Sequence, residues 1–162
     1  MDKLWAPWRS KYIYLRKYKG CIFCGKMTPA KPAKDDAKNY ILARSDHSFS
    51  MLNLYPYNNG HVMVAPYRHV STLEKLSDEE ILDLLKLVNR TKASIDKKLK
   101  PDGYNIGANI GRVAGAGFAG HVHIHIVPRW NGDTNFMPVL ADNKVVSESL
   151  EAMHKLLKTP NA

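Results

Sequence analysis

Residues 120–130 read Gly-His-Val-His-Ile-His-Ile-Val-Pro-Arg-Trp, and no other stretch constrains this chain as tightly. His121, His123 and His125 alternate with Val122, Ile124 and Ile126. A repeat of two belongs to a β-strand, whose successive side chains point to opposite faces. Three imidazoles therefore share one face, and branched apolar residues share the other. Imidazole suits proton transfer, nucleophilic attack and metal ligation near neutral pH. A lone histidine there would read as an ordinary surface residue. Three in register, after the glycine-rich residues 111–120, point to chemistry, because glycines let a ligand approach the backbone closely.

The remaining chain reads as a scaffold for that strand. Residues 40–44, 47–54 and 60–66 form three short strand patterns. Ser45-Asp46 and the Tyr55-Pro56-Tyr57-Asn58-Asn59-Gly60 turn separate them, so an antiparallel meander is expected. Ser77 and Glu80 make a capping box. Ile81, Leu84, Leu85, Val88, Ile95 and Leu99 then recur at helical spacing up to Lys100-Pro101. Residues 104–110 give a fourth strand, and the histidine strand is the fifth. Residues 147–158 read as a second helix, with Leu150, Met153, Leu156 and Leu157 near one side and His154 as a surface histidine. The expected fold is α+β: one antiparallel sheet of about five strands with a long helix packed across it.

At 162 residues the chain is expected to form a single domain, 1–162, with an N-terminal arm (1–20) and a C-terminal extension (131–162). Trp5 and Trp8 in the arm should bury against the domain or a subunit partner. The net charge of +9 suits an anionic partner. The lysines are spread rather than blocked together, so charge alone does not favour nucleic acid over a nucleotide polyphosphate. No apolar run is long enough to span a bilayer, and residues 1–8 lack the apolar core of a secretory signal, so no membrane partner and a cytoplasmic location are expected.

The residues permit a definite reaction. His123, the middle imidazole, can attack a phosphoanhydride and hold the phosphorus as a phosphoramidate, splitting one displacement into two. His61 and His125 can donate hydrogen bonds to the phosphoryl oxygens as charge builds, and amides of the loop around Gly115 to Gly120 can add to this. Arg129 reaches the same side if the strand continues past Pro128. Cys21 and Cys24 are the only cysteines, and their C-x-x-C spacing reads as a metal half-site or a redox pair; no βαβ pattern surrounds them to favour the redox reading, and as half a zinc site they need two more ligands.

The string His-Val-His-Ile-His-Ile-Val-Pro-Arg resembles the motif of the histidine triad superfamily of nucleotide hydrolases and transferases, and the resemblance runs from about Cys21 to Trp130. It implies His123 as nucleophile, His125 and His61 at the phosphate, Asn53 on the ribose, and Phe23 and Leu52 along the base. It further implies a structural zinc on Cys21, Cys24, His69 and His121, and magnesium that could arrive with the substrate. Residues 128–138, with Trp5-Ala6-Pro7-Trp8-Arg9, resemble the bacterial diadenosine polyphosphate phosphorylase branch. That branch implies a homodimer and inorganic phosphate as the acceptor, so that diadenosine tetraphosphate yields ATP and ADP. Some family hydrolases carry a glutamine four residues before the first triad histidine; here Gly117 stands there, and the phosphate contact passes to that loop. Two alternatives stay open: a hydrolase of dinucleoside polyphosphates or nucleoside phosphoramidates, and a non-catalytic nucleotide- or RNA-binding zinc module.

Overall fold

A computed structural model describes residues 20–24, 35–133 and 147–158. The aromatic arm with Trp5 and Trp8, most of the 27–38 loop and residues 134–138 lie outside these. The described strands are β1 (Ile41–Arg44), β2 (Ser48–Leu52), β3 (Val62–Pro66), β4 (Gly103–Ala108) and β5 (Ile124–Arg129). They form one antiparallel sheet in the order β1-β2-β3-β5-β4. The first three are the expected meander. The histidine strand then inserts between β3 and β4, which leaves β4 at the edge.

The long helix, α1 (Asp78–Leu99), begins as its sequence dictates. The Ser77 side chain accepts from the Glu80 amide, and the Glu80 carboxylate accepts from the Ser77 amide. The helix ends at Lys100, which takes a left-handed conformation before Pro101. Its buried residues are Leu84, Leu87, Val88, Thr91 and Ile95. Leu85 departs from the expected stripe and is 48% exposed, because Leu87 and Thr91 complete the buried face instead. Asp83 fastens α1 to the β1–β2 turn by accepting from Ser45 Oγ, Ser48 Oγ and the His47 amide.

The second helix, α2 (Leu150–Leu157), is capped by Ser149. His154 is not the surface residue expected. It is buried, and its Nε2 donates to the Ile41 carbonyl at 2.9 Å, which docks α2 on β1.

The sheet has two covered faces. Leu52, Val62 and Ile126 are register partners in successive strands. They pack with Val64, Val122 and Ile124 against Leu84, Leu87, Val88 and Ile95 of α1. Met51, Met63 and His125 are register partners on the opposite face, where Phe23, Phe49 and Ala65 make a second cluster. Burying these side chains contributes about 1.5–3 kcal/mol for each large one.

Candidate active site and metal centre

The paired part of the histidine strand starts at Ile124, so His121 and His123 lie just before it. Strand β3 ends at Pro66, which has no amide hydrogen to continue the ladder. A single bond from the Val122 amide to the Val70 carbonyl, 2.7 Å, holds this lead-in segment. The imidazoles still share the face opposite α1. None is free in solvent: His121 is 1% exposed, His123 5% and His125 9%.

Backbone partners decide which ring nitrogen of each histidine carries the proton. His123 Nδ1 lies 2.9 Å from the His121 carbonyl. A carbonyl only accepts, so His123 is protonated on Nδ1 and its Nε2 keeps a lone pair. His121 Nε2 donates to the Pro66 carbonyl at 2.9 Å, which leaves Nδ1 as a ligand atom. The Tyr57 amide donates to His61 Nδ1 at 3.0 Å. Neutral His61 must then carry its proton on Nε2 and donate to His125 Nδ1, 2.9 Å away. His125 in turn must carry its proton on Nε2. The site thus offers one imidazole lone pair, on His123, beside one N–H donor, on His125, with ring centroids 4.7 Å apart.

This geometry changes the role expected of His61. Both its ring nitrogens are engaged within the protein and it is 1% exposed, so neither nitrogen is free to meet a phosphate oxygen in this arrangement. Burial pushes His61 down to about 3, and the neighbouring His125 and His123 add to the effect. Burial, with His123 beside it, lowers His125 to about 4. Burial also lowers His123, against the opposing pull of the His121 carbonyl. The three rings are neutral at pH 7, the state a nitrogen nucleophile needs.

Asn53 joins this group. Its amide nitrogen lies 3.4 Å from His61 Nδ1, its side-chain oxygen accepts from the Tyr55 amide, and its own amide donates to the His61 carbonyl. Sequence reasoning missed two neighbours. The exposed Tyr57 ring sits 4.7 Å from His61 and 5.9 Å from His125, centroid to centroid. Gly107 pairs with His125 across β4 and β5, and nothing lies within 4 Å of where its Cβ would be. The edge beside His125 is therefore open. An aromatic residue four positions before His61 was the only available signal for the first. The second had none, because a lone glycine in a strand pattern has several explanations.

At the other end of the run, Cys21, Cys24, His69 and His121 bring one ligand atom each to within 4.8 Å of one another. Cys21 Sγ is 3.4 Å from His121 Nδ1, and Cys24 Sγ is 3.2 Å from His69 Nδ1 and 3.5 Å from His121 Nδ1. Tetrahedral zinc with bonds of about 2.0–2.3 Å places its ligands about 3.6 Å apart, so the donor set fits one such ion. Burial and the adjacent Cys21 push the Cys24 thiol up to about 11, a direction that a bound cation reverses.

Four further residues bear on what was expected of them. Leu52 was placed along the base, but it is the register partner of Val62 and packs in the helix-side core, facing away from the imidazoles. Neighbouring strand residues point oppositely, and Leu52 is one step out of phase with Met51. Phe23, also expected along the base, is 0% exposed and packs against the rings of His121 and His123. Arg129 does lie in β5, but its guanidinium is held by Asp133 (2.6 and 2.9 Å) and Asn105 (2.7 Å). Gly117 lies exposed in a turn with room for a side chain, and the nearby amides of Gly115 and Ala116 are used within the loop, on Arg112 and Gly111.

Residues 34–132 match the model of the HIT domain, which is more than half of the chain. The chain belongs to the HIT family. An AP-4-A phosphorylase of Mycobacterium tuberculosis is 37% identical over 164 residues, covering 98% of this chain and 84% of that protein. An adenosine 5'-monophosphoramidase of Schizosaccharomyces pombe is 37% identical over 111 residues, 68% of this chain and 75% of the relative. The crystal structure of a Zn-bound histidine triad family protein from Mycobacterium smegmatis superposes with a TM-score of 0.65 at 26% identity, covering 85% of this chain and 90% of that one. The chain is thus a nucleotide-processing enzyme of the HIT nucleotidyltransferase and hydrolase kind. Among the described residues no helix is long and apolar enough to cross a membrane.

Proposed function

We propose that this HIT protein cleaves dinucleoside polyphosphates such as diadenosine tetraphosphate by nucleotidyl transfer through His123, with inorganic phosphate as acceptor. The observation that carries the reading is the His123 Nδ1–H bond to the His121 carbonyl, which aims the Nε2 lone pair away from the backbone. Nε2 attacks the α-phosphorus, a P–N bond forms, and the P–O bond to the leaving ATP breaks. His125 Nε2–H donates to the phosphoryl or bridging oxygen as negative charge builds. A phosphate oxygen then displaces His123, the P–N bond breaks, and ADP leaves. Asn53 is assigned to the ribose, and His61 is a positioning residue that keeps the His125 proton on the outward nitrogen.

The choice of phosphate over water is supported by the phosphorylase relative and by Gly117, which puts no side chain where a glutamine would steady water. The second reading, hydrolysis of nucleoside phosphoramidates, is favoured by the monophosphoramidase relative. Zinc at Cys21, Cys24, His69 and His121 has no open coordination position and serves as a structural cross-link. A homodimer fits the β4 edge, which pairs with no further strand among the described residues and where Ile106 is 46% exposed, since such an edge invites a second strand. Diadenosine tetraphosphate incubated with and without phosphate separates the two acceptors. ATP plus ADP, formed only when phosphate is present, supports phosphorolysis; ATP plus AMP at an unchanged rate without it overturns that choice.

A further inference from the structure

Phe23 lies between the two cysteines of the metal cluster, yet its ring touches the nucleophile. Its centroid is 5.0 Å from that of His121 and 4.9 Å from that of His123, and it is fully buried against Phe49 and Phe118 as well. The two systems meet a second time at His121. Its ring faces the thiols through Nδ1, and its carbonyl takes the proton of His123 Nδ1. Within the segment the Cys24 amide bonds to Cys21 Sγ, and Cys21 and Phe23 pack together in the core cluster on this face of the sheet. The cysteines and the core cluster with Phe49, Met63 and Ala65 thus hold Phe23 from two sides, and Phe23 is the surface against which the His123 ring rests.

From this we infer that Phe23 is a positioning residue through which metal occupancy of the Cys21–Cys24–His69–His121 cluster sets the orientation of His123. The inference rests on the proposed role of His123 as nucleophile. When the four ligands share an ion, residues 21–24 are clamped and the Phe23 ring holds His123 in the rotamer that bonds the His121 carbonyl. When the ion is removed, the two thiols and His121 lose their common anchor, the Phe23 ring shifts against His123, and His123 is no longer held in the single Nδ1–H form. A misplacement of about 1 Å at a reacting atom is enough to cost up to about a hundredfold in rate. The cluster would then govern the chemical step while contributing no ligand to the substrate.

The test uses the full-length metal-loaded protein and reads the imidazole nitrogens of His123 by 15N NMR, alongside metal content and steady-state kinetics. Phe23→Leu keeps an apolar side chain but not the flat ring. The expected result is unchanged metal content, kcat lowered about tenfold with KM within about twofold, and a His123 signal shifted from the pure Nδ1–H form to a mixture. Removing the metal from the wild-type protein with a chelator should move the same signal the same way, and this arm needs no substitution. Should Phe23→Leu fail to fold, Phe23→Met is read by the same three measurements. A His123 signal that stays put in both the chelated protein and the folded variant overturns the coupling. If instead no nucleotidyl-histidine is ever trapped on the wild type, the functional reading falls, while the NMR signal still decides whether metal and His123 are coupled.

Discussion

The two faces of the β5 region carry residues from the same few positions and do opposite work. Val122, Ile124 and Ile126 enter the apolar core under α1, where shape and burial are all that matter. His121, His123 and His125, one step out of phase, meet thiols, a backbone carbonyl and another imidazole. Neither face is wet. The difference lies in the polar partners: on one side none are needed, and on the other each ring has at least one nitrogen fixed by a partner. Three chemically identical side chains thus present a nitrogen toward the thiols, a lone pair and an N–H, according to what their second nitrogen touches.

The contrast can be broken most sharply at His123. His123→Asn removes the attacking nitrogen, and kcat should fall by about 10⁴-fold or more, with nucleotide affinity within a few-fold and no adduct detectable by intact mass. Leu52→Ala acts on the opposite face. It should cost about 2–5 kcal/mol in urea unfolding, yet leave kcat/KM of the folded fraction close to wild type. A large rise in KM there would return Leu52 to the binding site. His61→Asn is intermediate: with the His125 proton no longer held on Nε2, kcat should drop about a hundredfold in single-turnover measurements while the adduct still forms slowly.

The smallest effect is in pH. His61 and His125 have folded values near 3 and 4, below the ordinary value of 6.5. The unfolded chain therefore binds more protons between 6.5 and those values. Stability is full above about pH 6.5 and declines as the pH falls through that window. The urea midpoint should drop between pH 7 and pH 5, and less steeply in His61→Asn. An equal slope in wild type and variant removes His61 from this account.

Local patterns were the legible part. The Ser77–Glu80 capping box and the turn ending in Gly60 each act over a few residues and take the form their spacing implied, while the alternation at 121–126 puts the imidazoles on one face although strand pairing begins only at Ile124. Gly60 is a good case: it adopts φ +70°, and a Cβ there would sit 2.5 Å from Leu99 Cδ1. What stayed hidden depends on distant partners. Nothing local shows that β5 slots between β3 and β4, that His154 reaches back to β1, or that Leu87 rather than Leu85 faces the core. For Leu52 the strand was recognised, but its phase relative to His125 required the register of three strands.

The sequence by itself determined the inventory: a histidine strand, two thiols, a capped helix and enough short strands for one sheet. Those features follow from side-chain period and backbone preference, which act between near neighbours. Only the tertiary structure decided the proton positions. The Tyr57 amide and the His121 and Pro66 carbonyls assign each imidazole proton, and Phe23 packs against the rings of His121 and His123. Proton placement depends on which acceptor or donor comes within about 3 Å. Such a distance between residues far apart in the chain exists only once the sheet has closed.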